Sequence, residues 1–289
     1  MTIVINAGLV KTLRDKTNVS MMECKHALQK TNGNIEEAID LLRKSGIAAA
    51  VKKQSRVAAE GLVVLSSNKD KTQVAILEIN CETDFVAKNS KLLDFANKVV
   101  NLILATKIFE LDNLIQQKLN NQETVEEARL TLVSQLGENI VLRRIDLCTA
   151  EQGQVLGSYV HGGGAGLPAK IVSVICLEGG NADLARDIAM HAAAMRPEYI
   201  TIVDVPAARL KKEEEIFMEQ TKLNNSDKPE DILKKIVAGR VAKFFKEITL
   251  LDQVFVKDSE ITIAKLLAKN NAKVIKMLRL EVGEGIEKK

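Results

Sequence analysis

Apolar residues recur along this chain with two periods, and the changes of period mark out its elements. Residues 6–45 read as three short helices. Leu9, Val10 and Leu13 give the first an apolar face. Ser20-Met21-Met22-Glu23 has the form of a capping box and opens a second helix, which turns Ala27 and Leu28 inward. Gly33 makes a turn, and Asn34, with Glu37 three residues on, caps a third helix carrying Ile35, Ala38, Ile39 and Leu42. Gly46 then ends that helix in the C′ position. Residues 47–59 show no firm apolar stripe and read as a helical linker.

From Gly61 a pattern appears that later recurs. Leu62 to Leu65 is a strand, Asn68-Lys69-Asp70 a turn, Val74 to Asn80 a second strand, and 90–104 a helix. Val155 to Val160, the glycine cluster 162–166, Lys170 to Leu177 and the helix Ala182 to Met195 repeat that order. Two related halves follow, each an antiparallel sheet with helices on one face, so the fold class is α+β. Between them, Thr124 opens a helix running to Leu136, and Ile140 to Ile145 is a strand. Pro206 starts a charged helix carrying Leu210, Phe217 and Leu223. After the polar turn Asn224–Pro229, a return helix carries Ile232, Ile236, Val237, Val241 and Phe244, which makes a protruding antiparallel helical hairpin. Val254-Phe255-Val256 reads as a strand, Ile263 to Ala268 as a short helix, and Val274 to Val282 as the last strand. The implied domains are 1–54, 55–147, 148–280 with the hairpin at 206–248, and a tail at 281–289.

One stretch organises the rest: Cys81-Glu82-Thr83-Asp84-Phe85-Val86-Ala87-Lys88-Asn89. A strand leads in, and a helix with Leu92, Phe95, Ala96, Val99 and Ile103 leads out, so the stretch is a strand-to-helix corner. An acid beside a ring there admits two readings. Asp84 can be a helix cap with Phe85 as its hydrophobic staple, or the pair can be a probe aimed at another protein.

Composition narrows the function. With 41 basic and 38 acidic residues and a net charge of +3, the chain lacks an electrostatic nucleic-acid surface. No apolar run approaches the roughly 18–20 residues of a membrane span, and the N-terminus has no signal-peptide pattern. The scattered Cys24, Cys81, Cys148 and Cys176 read as buried thiols in a reducing cytoplasm. The glycine cluster at 162–166 lacks the Gly-Lys-Ser/Thr ending of a phosphate loop and reads as a hairpin tip. His26, His161 and His191 form no metal-ligand pair. His191 reads as a satisfied mid-helix imidazole. His161, at a strand end beside the glycines, is structural or faces a partner. No nucleophile, base or carboxylate pair stands out, so no enzyme, metal or cofactor is expected. Two rival classes are an adaptor working through its N-terminal helices and a phosphate-binding enzyme using 162–166.

The Thr83-Asp84-Phe85-Val86-Ala87-Lys88 signature resembles that of the elongation factor Ts family, the guanine-nucleotide exchange factors of elongation factor Tu. The likeness extends through Met21-Met22-Glu23-Cys24-Lys25, Gly137 to Ile140, Gly157 to Gly162, Ile188 to Pro197 and Glu281 to Lys288. It departs at 162–168, where Gly-Gly-Gly-Ala-Gly-Leu-Pro stands for a shorter, Arg-containing turn. The resemblance implies a ubiquitin-associated-like fold for 1–54 and binding to elongation factor Tu in its GDP-bound and nucleotide-free states. Thr83, Asp84, Phe85 and Val86 are implied to dislocate the partner's Mg²⁺. Met21, Lys25, Leu136, Gly137, His161 and Val256 match positions that touch the partner. Neither direct nucleic-acid nor membrane binding is implied.

Overall fold

A computed structural model describes residues 5–17, 19, 21–163, 167–224 and 229–287, with the backbone alone for 47–51. Three N-terminal helices come first: α1 (Ala7–Thr17), α2 (Met21–Lys30) and α3 (Ile35–Lys53). They close on a small core of Val10, Leu13, Cys24, Ala27, Leu28, Ala38 and Leu42. Asn34 caps α3 as its spacing predicts, accepting from the amides of Glu36 and Glu37 at 3.0 and 3.3 Å. The capping box expected from Ser20 lies outside the described residues.

Gly46 does not end α3, which continues to Lys53. The glycine serves packing instead. A Cβ there would lie 2.7 Å from Ser134 Oγ, so its absence lets α3 approach the helix that carries Ser134, α7 below.

The body consists of β1 (Glu60–Ser67), β2 (Gln73–Cys81), α4 (Asp84–Ala87), α5 (Ser90–Thr106), α6 (Leu111–Ile115), α7 (Val125–Leu136), β3 (Ile140–Thr149), β4 (Gln154–His161), β5 (Ile171–Glu178), α8 (Ala182–Met195), α9 (Ala207–Asn224), α10 (Glu230–Ile248), α11 (Ile263–Lys269) and β6 (Lys273–Glu281). Two antiparallel three-stranded sheets result, ordered β1-β2-β3 and β4-β5-β6. In both, the middle strand is buried on its two faces, which is why β2 and β5 read as nearly continuous apolar runs. Alternate residues of β2 divide the labour. Ala75, Leu77, Ile79 and Cys81 pack with Leu92, Phe95 and Val99 of α5, whereas Val74 and Ile76 join Val172, Val174 and Cys176 of the other sheet. Likewise Ile175 and Leu177 turn toward Ile188 and Ala192 of α8. The layers therefore run helix, sheet, sheet, helix.

Ion pairs seal one edge between the sheets. Glu78 of β2, fully buried, accepts from Arg143 Nη1 at 3.1 Å, Arg144 Nε at 2.5 Å and the Gly283 amide at 2.8 Å. A buried carboxylate is tolerated only when its oxygens are so occupied.

The helical pair α9–α10 has its own cluster of Val205, Val237, Val241, Phe245 and Ile248, with Leu210 and Phe217 against it. Residues 225–228 of the expected turn lie outside the described residues. The inward face of α10 is Leu233-Val237-Val241-Phe245. Ile232, expected to face inward, is exposed, as is Leu223 of α9, because the buried stripe follows the neighbouring row of the helix. Nor do Val254–Val256 form a strand. Val254 makes one isolated bridge to Thr262, and the segment is a turn before α11. Helix α6 lies in a stretch where no element was expected; its five residues are too few for a periodic signal.

Candidate functional site: an exposed corner and a recess

At the end of β2 the chain turns into α4, a single helical turn. Thr83, not Asp84, is its N-cap, with extended dihedrals (φ −126°, ψ 158°) and a hydroxyl accepting from the Val86 amide at 3.4 Å. Asp84 is the first helical residue, so its carboxylate points outward. It accepts a 2.6 Å bond from Lys88 Nζ, one turn on, which holds the carboxyl below its ordinary range. Phe85 is no staple either, since it is 81% exposed. Val86 and Ala87 are instead the residues that bind the turn to the core under α5. Asn89 then caps α5 through Lys91. Of the four corner residues singled out from sequence, Phe85 faces solvent, Thr83 and Asp84 are half-buried, the Asp84 carboxylate reaching Lys88, and Val86 faces inward.

What stiffens this corner is Glu138, which sequence reasoning did not single out. Its Oε2 accepts from the amides of Glu82 (3.1 Å) and Thr83 (2.9 Å), and its Oε1 from the Thr83 hydroxyl (2.6 Å). In return the Asn139 amide donates to Glu82 Oε1 at 2.7 Å. Bonds to an ionised acceptor are the strong kind. Gly137 makes the clasp possible. It ends α7 in the left-handed region (φ 80°), where its amide bonds Val133 O at 3.0 Å and the chain swings Glu138 under the corner. Leu136 is half-buried against the same core. Cys81, beneath the turn, donates its thiol to Thr83 O at 3.1 Å, and burial, with Glu138's charge adding to it, pushes that thiol up to about 12. It is a packing residue, not a nucleophile.

A second feature lies at the end of β4. His161 is exposed, with Nδ1 3.5 Å from the Tyr159 hydroxyl. Tyr159, His161, Ile171, Met190, Arg196 and Val256 line a recess of about 340 Å³. Val256 owes its position to His191. That ring is fully buried, and its Nδ1 accepts from the Val256 amide at 3.2 Å. Nε2 therefore carries the proton and donates to Gln253 Oε1 at 2.9 Å. Gln253 in turn donates to Met195 O (3.3 Å) and Glu247 O (2.7 Å). Burial depresses the basicity of His191, against a weaker opposing pull from Gln253.

Met21 and Lys25 are exposed on α2, on a different element from either feature. The N-terminal helices meet the body at α7. Gln135 Nε2 donates to Thr17 O at 3.0 Å, and Arg43 lies 3.8 Å from Glu127. Of the residues expected to act together, the structure joins Thr83 with the segment after Gly137, and His161 with Val256. Glu138 left one sequence signal: an acid directly after a helix-ending glycine, facing a corner with free amides.

All four cysteines are free and buried. No helix among the described residues is long and apolar enough to cross a membrane. The model of a protein family described as "Elongation factor TS" matches residues 82–284, which span both the corner and the recess. The chain is 47% identical over 285 residues to the elongation factor Ts of Thioalkalivibrio sulfidiphilus, covering 99% of this chain and 94% of that one. Identity is 45% with the protein of the same name in Ruthia magnifica (99% and 93% covered) and 44% with that of Lacticaseibacillus casei (99% and 94%). Agreement over nearly the whole length of both chains, with the signature placed on a clasped and exposed corner, leads to one assignment: the chain belongs to the elongation factor Ts family.

Proposed function

We propose that this protein is a translation elongation factor that binds elongation factor Tu and speeds its release of GDP, without covalent chemistry, in the cytoplasm. The observation that carries the reading is Phe85, an 81% exposed ring on a corner fixed by Glu138. Exposed singly, an apolar side chain needs no explanation; held rigidly at the tip of a turn beside an acid, it is a preorganised probe. Burying such a ring in a pocket of the partner supplies roughly 2–3 kcal/mol. Asp84, already paired only with solvent-exposed Lys88, is free to exchange that contact for polar groups of the partner.

Mg²⁺ in the partner's nucleotide site tolerates little distortion of its octahedral shell. A ring and a carboxylate pushed in beside it displace the groups that hold the ion, and GDP loses its anchor. Coupling is reciprocal, so incoming nucleotide expels the factor by the same free energy; about 4 kcal/mol corresponds to about a thousandfold. A single wedge cannot offset the entropy of association. In this reading Met21 and Lys25 dock one side of the partner, through a ubiquitin-associated-like unit (1–54). Leu136 and Gly137 dock beside the wedge, and His161 and Val256 at the recess, on two related halves (55–147 and 148–280).

Stopped-flow release of a fluorescent GDP from elongation factor Tu tests the reading. Asp84→Ala with Phe85→Ala is expected to lower the maximal release rate by about thirtyfold or more, the equivalent of the lost burial, with an unchanged denaturation midpoint. Undiminished acceleration by the double variant would remove the wedge.

A further inference from the structure

Lys170 stands where the two sheets meet, between the corner and the recess, and neither feature contains it. Its ammonium group donates to Glu60 Oε2 and to the Gly61 carbonyl, both at 3.2 Å. Glu60 is the register partner of Cys81, the residue on which the corner begins. Gly61 fits there because it is a glycine: φ is 146°, and a Cβ would fall 2.1 Å from Ile79 O. The backbone of Lys170 works in the other direction. Its amide donates to His161 O at 2.9 Å, closing the β4–β5 ladder at the residue that edges the recess, and its carbonyl accepts from Val282 at 2.9 Å. Next to it, Val63 donates to Ala169 O at 3.0 Å, the single backbone bridge from β1 across to the second sheet among the described residues.

We infer that Lys170 is a positioning residue for nucleotide exchange: with its side chain on Glu60 and Gly61 and its backbone on His161, it sets the spacing between the Phe85 corner and the His161 recess. The inference rests on the exchange reading above. The interior between the sheets is apolar, and apolar contact is non-directional, so it permits small sliding of one sheet on the other. Directional bonds at the rim fix the register that the apolar interior leaves free. An exchange factor gripping its partner at two places needs that register only when both grips close together. Loosening it leaves first docking intact and penalises the strained complex in which GDP departs.

The experiment is GDP release from elongation factor Tu driven by the full chain as wild type, Lys170→Met, Lys170→Arg and Glu60→Gln. Lys170→Met is expected to lower the maximal rate about fivefold, the worth of one partly exposed ion pair, with the half-saturating concentration within about twofold of wild type. Lys170→Arg, which keeps the charge and the donors, recovers most of the rate, and Glu60→Gln shows the same split as Lys170→Met. Combining Phe85→Ala with His161→Ala reads the coupling: the two losses are non-additive with Lys170 present and additive with Lys170→Met. A maximal rate untouched by Lys170→Met, while the wild type accelerates release, overturns the inference and leaves the exchange reading standing. Equal losses in the Met and Arg variants together with a lowered denaturation midpoint overturn it in favour of plain structural support. A wild type that accelerates nothing overturns the exchange reading itself.

Discussion

The corner at residues 81–89 and the recess at residues 159–161 and 256 solve opposite problems. The first is convex. It offers a ring to solvent and is stiffened from behind by a carboxylate accepting three bonds at once. The second is concave. Its rim residue, Val256, is held by a buried imidazole whose two nitrogens are both engaged. Function and stability are therefore separable at the corner, where the exposed group touches little of its own chain. They are entangled at the recess, where the supporting group is part of the core.

The largest expected effect breaks that contrast from the recess side. His191→Ala empties a fully buried site and strands the Val256 amide and the Gln253 carbonyl oxygen. Cavity and lost bonds together predict about 3 kcal/mol of destabilisation by denaturant titration. The effect on exchange is chiefly to weaken docking, with the release rate at saturating factor lowered much less than by Phe85→Ala, because Phe85 is untouched. If His191→Ala cut the saturated rate as deeply as Phe85→Ala does, the division between the two regions would fall.

A smaller effect sharpens the corner. Glu138→Ala leaves two half-buried amides and a hydroxyl without their acceptor, at a cost of about 1–2 kcal/mol. Here the saturated release rate is the sensitive readout, since a loosened corner spends part of its binding energy on ordering. Glu138→Gln keeps one acceptor oxygen and should fall between the two. A rate at saturation equal to wild type in Glu138→Ala would mean that the corner is rigid without its clasp.

How much of this was legible in the sequence follows the physics of each signal. Strands β2 and β5 were legible as short, nearly continuous apolar runs flanked by turn residues, and helix α8 as a longer run between Asn181 and Pro197. Thr124 opens α7 where the sequence placed its start, and the structure supplies the reason, a capping box with Glu127 formed in both directions. The corner was legible as a place, but the cap offered as one reading of it was a residue off. Thr83 and Asp84 are both good caps, and only the dihedrals decide between them. Gly46 misled because a glycine marks both helix ends and close helix contacts, and sequence does not separate the two. The bonds that Glu138 and Lys170 make were illegible for a different reason. Their partners are 55 and 109 residues away in the chain, and long-range polar bonds leave no periodic trace.

The smallest effect concerns pH and again divides the two regions. His191 is neutral in the folded protein, because burial favours the uncharged ring and Nδ1 must stay free to accept from Val256. Its folded basicity lies below the ordinary value of 6.5, so the unfolded chain takes up a proton that the folded one refuses. Stability from this group is fully present above about pH 6.5 and declines as the pH falls below it. The limiting slope is about 1.4 kcal/mol per pH unit until the folded ring titrates as well. Denaturant midpoints for wild type and His191→Gln between pH 5 and 7.5 measure it, since the variant lacks the proton and should lose that part of the slope. Asp84 at the corner contributes no such term in this range. The Asp84 carboxyl is held below its ordinary value by Lys88 and stays ionised throughout. The saturated release rate is therefore expected to stay level over the interval in which the fold weakens. A rate that tracked the stability curve would show the corner to depend on His191, although the corner ends β2 of one sheet and His191 lies on α8, packed against the other.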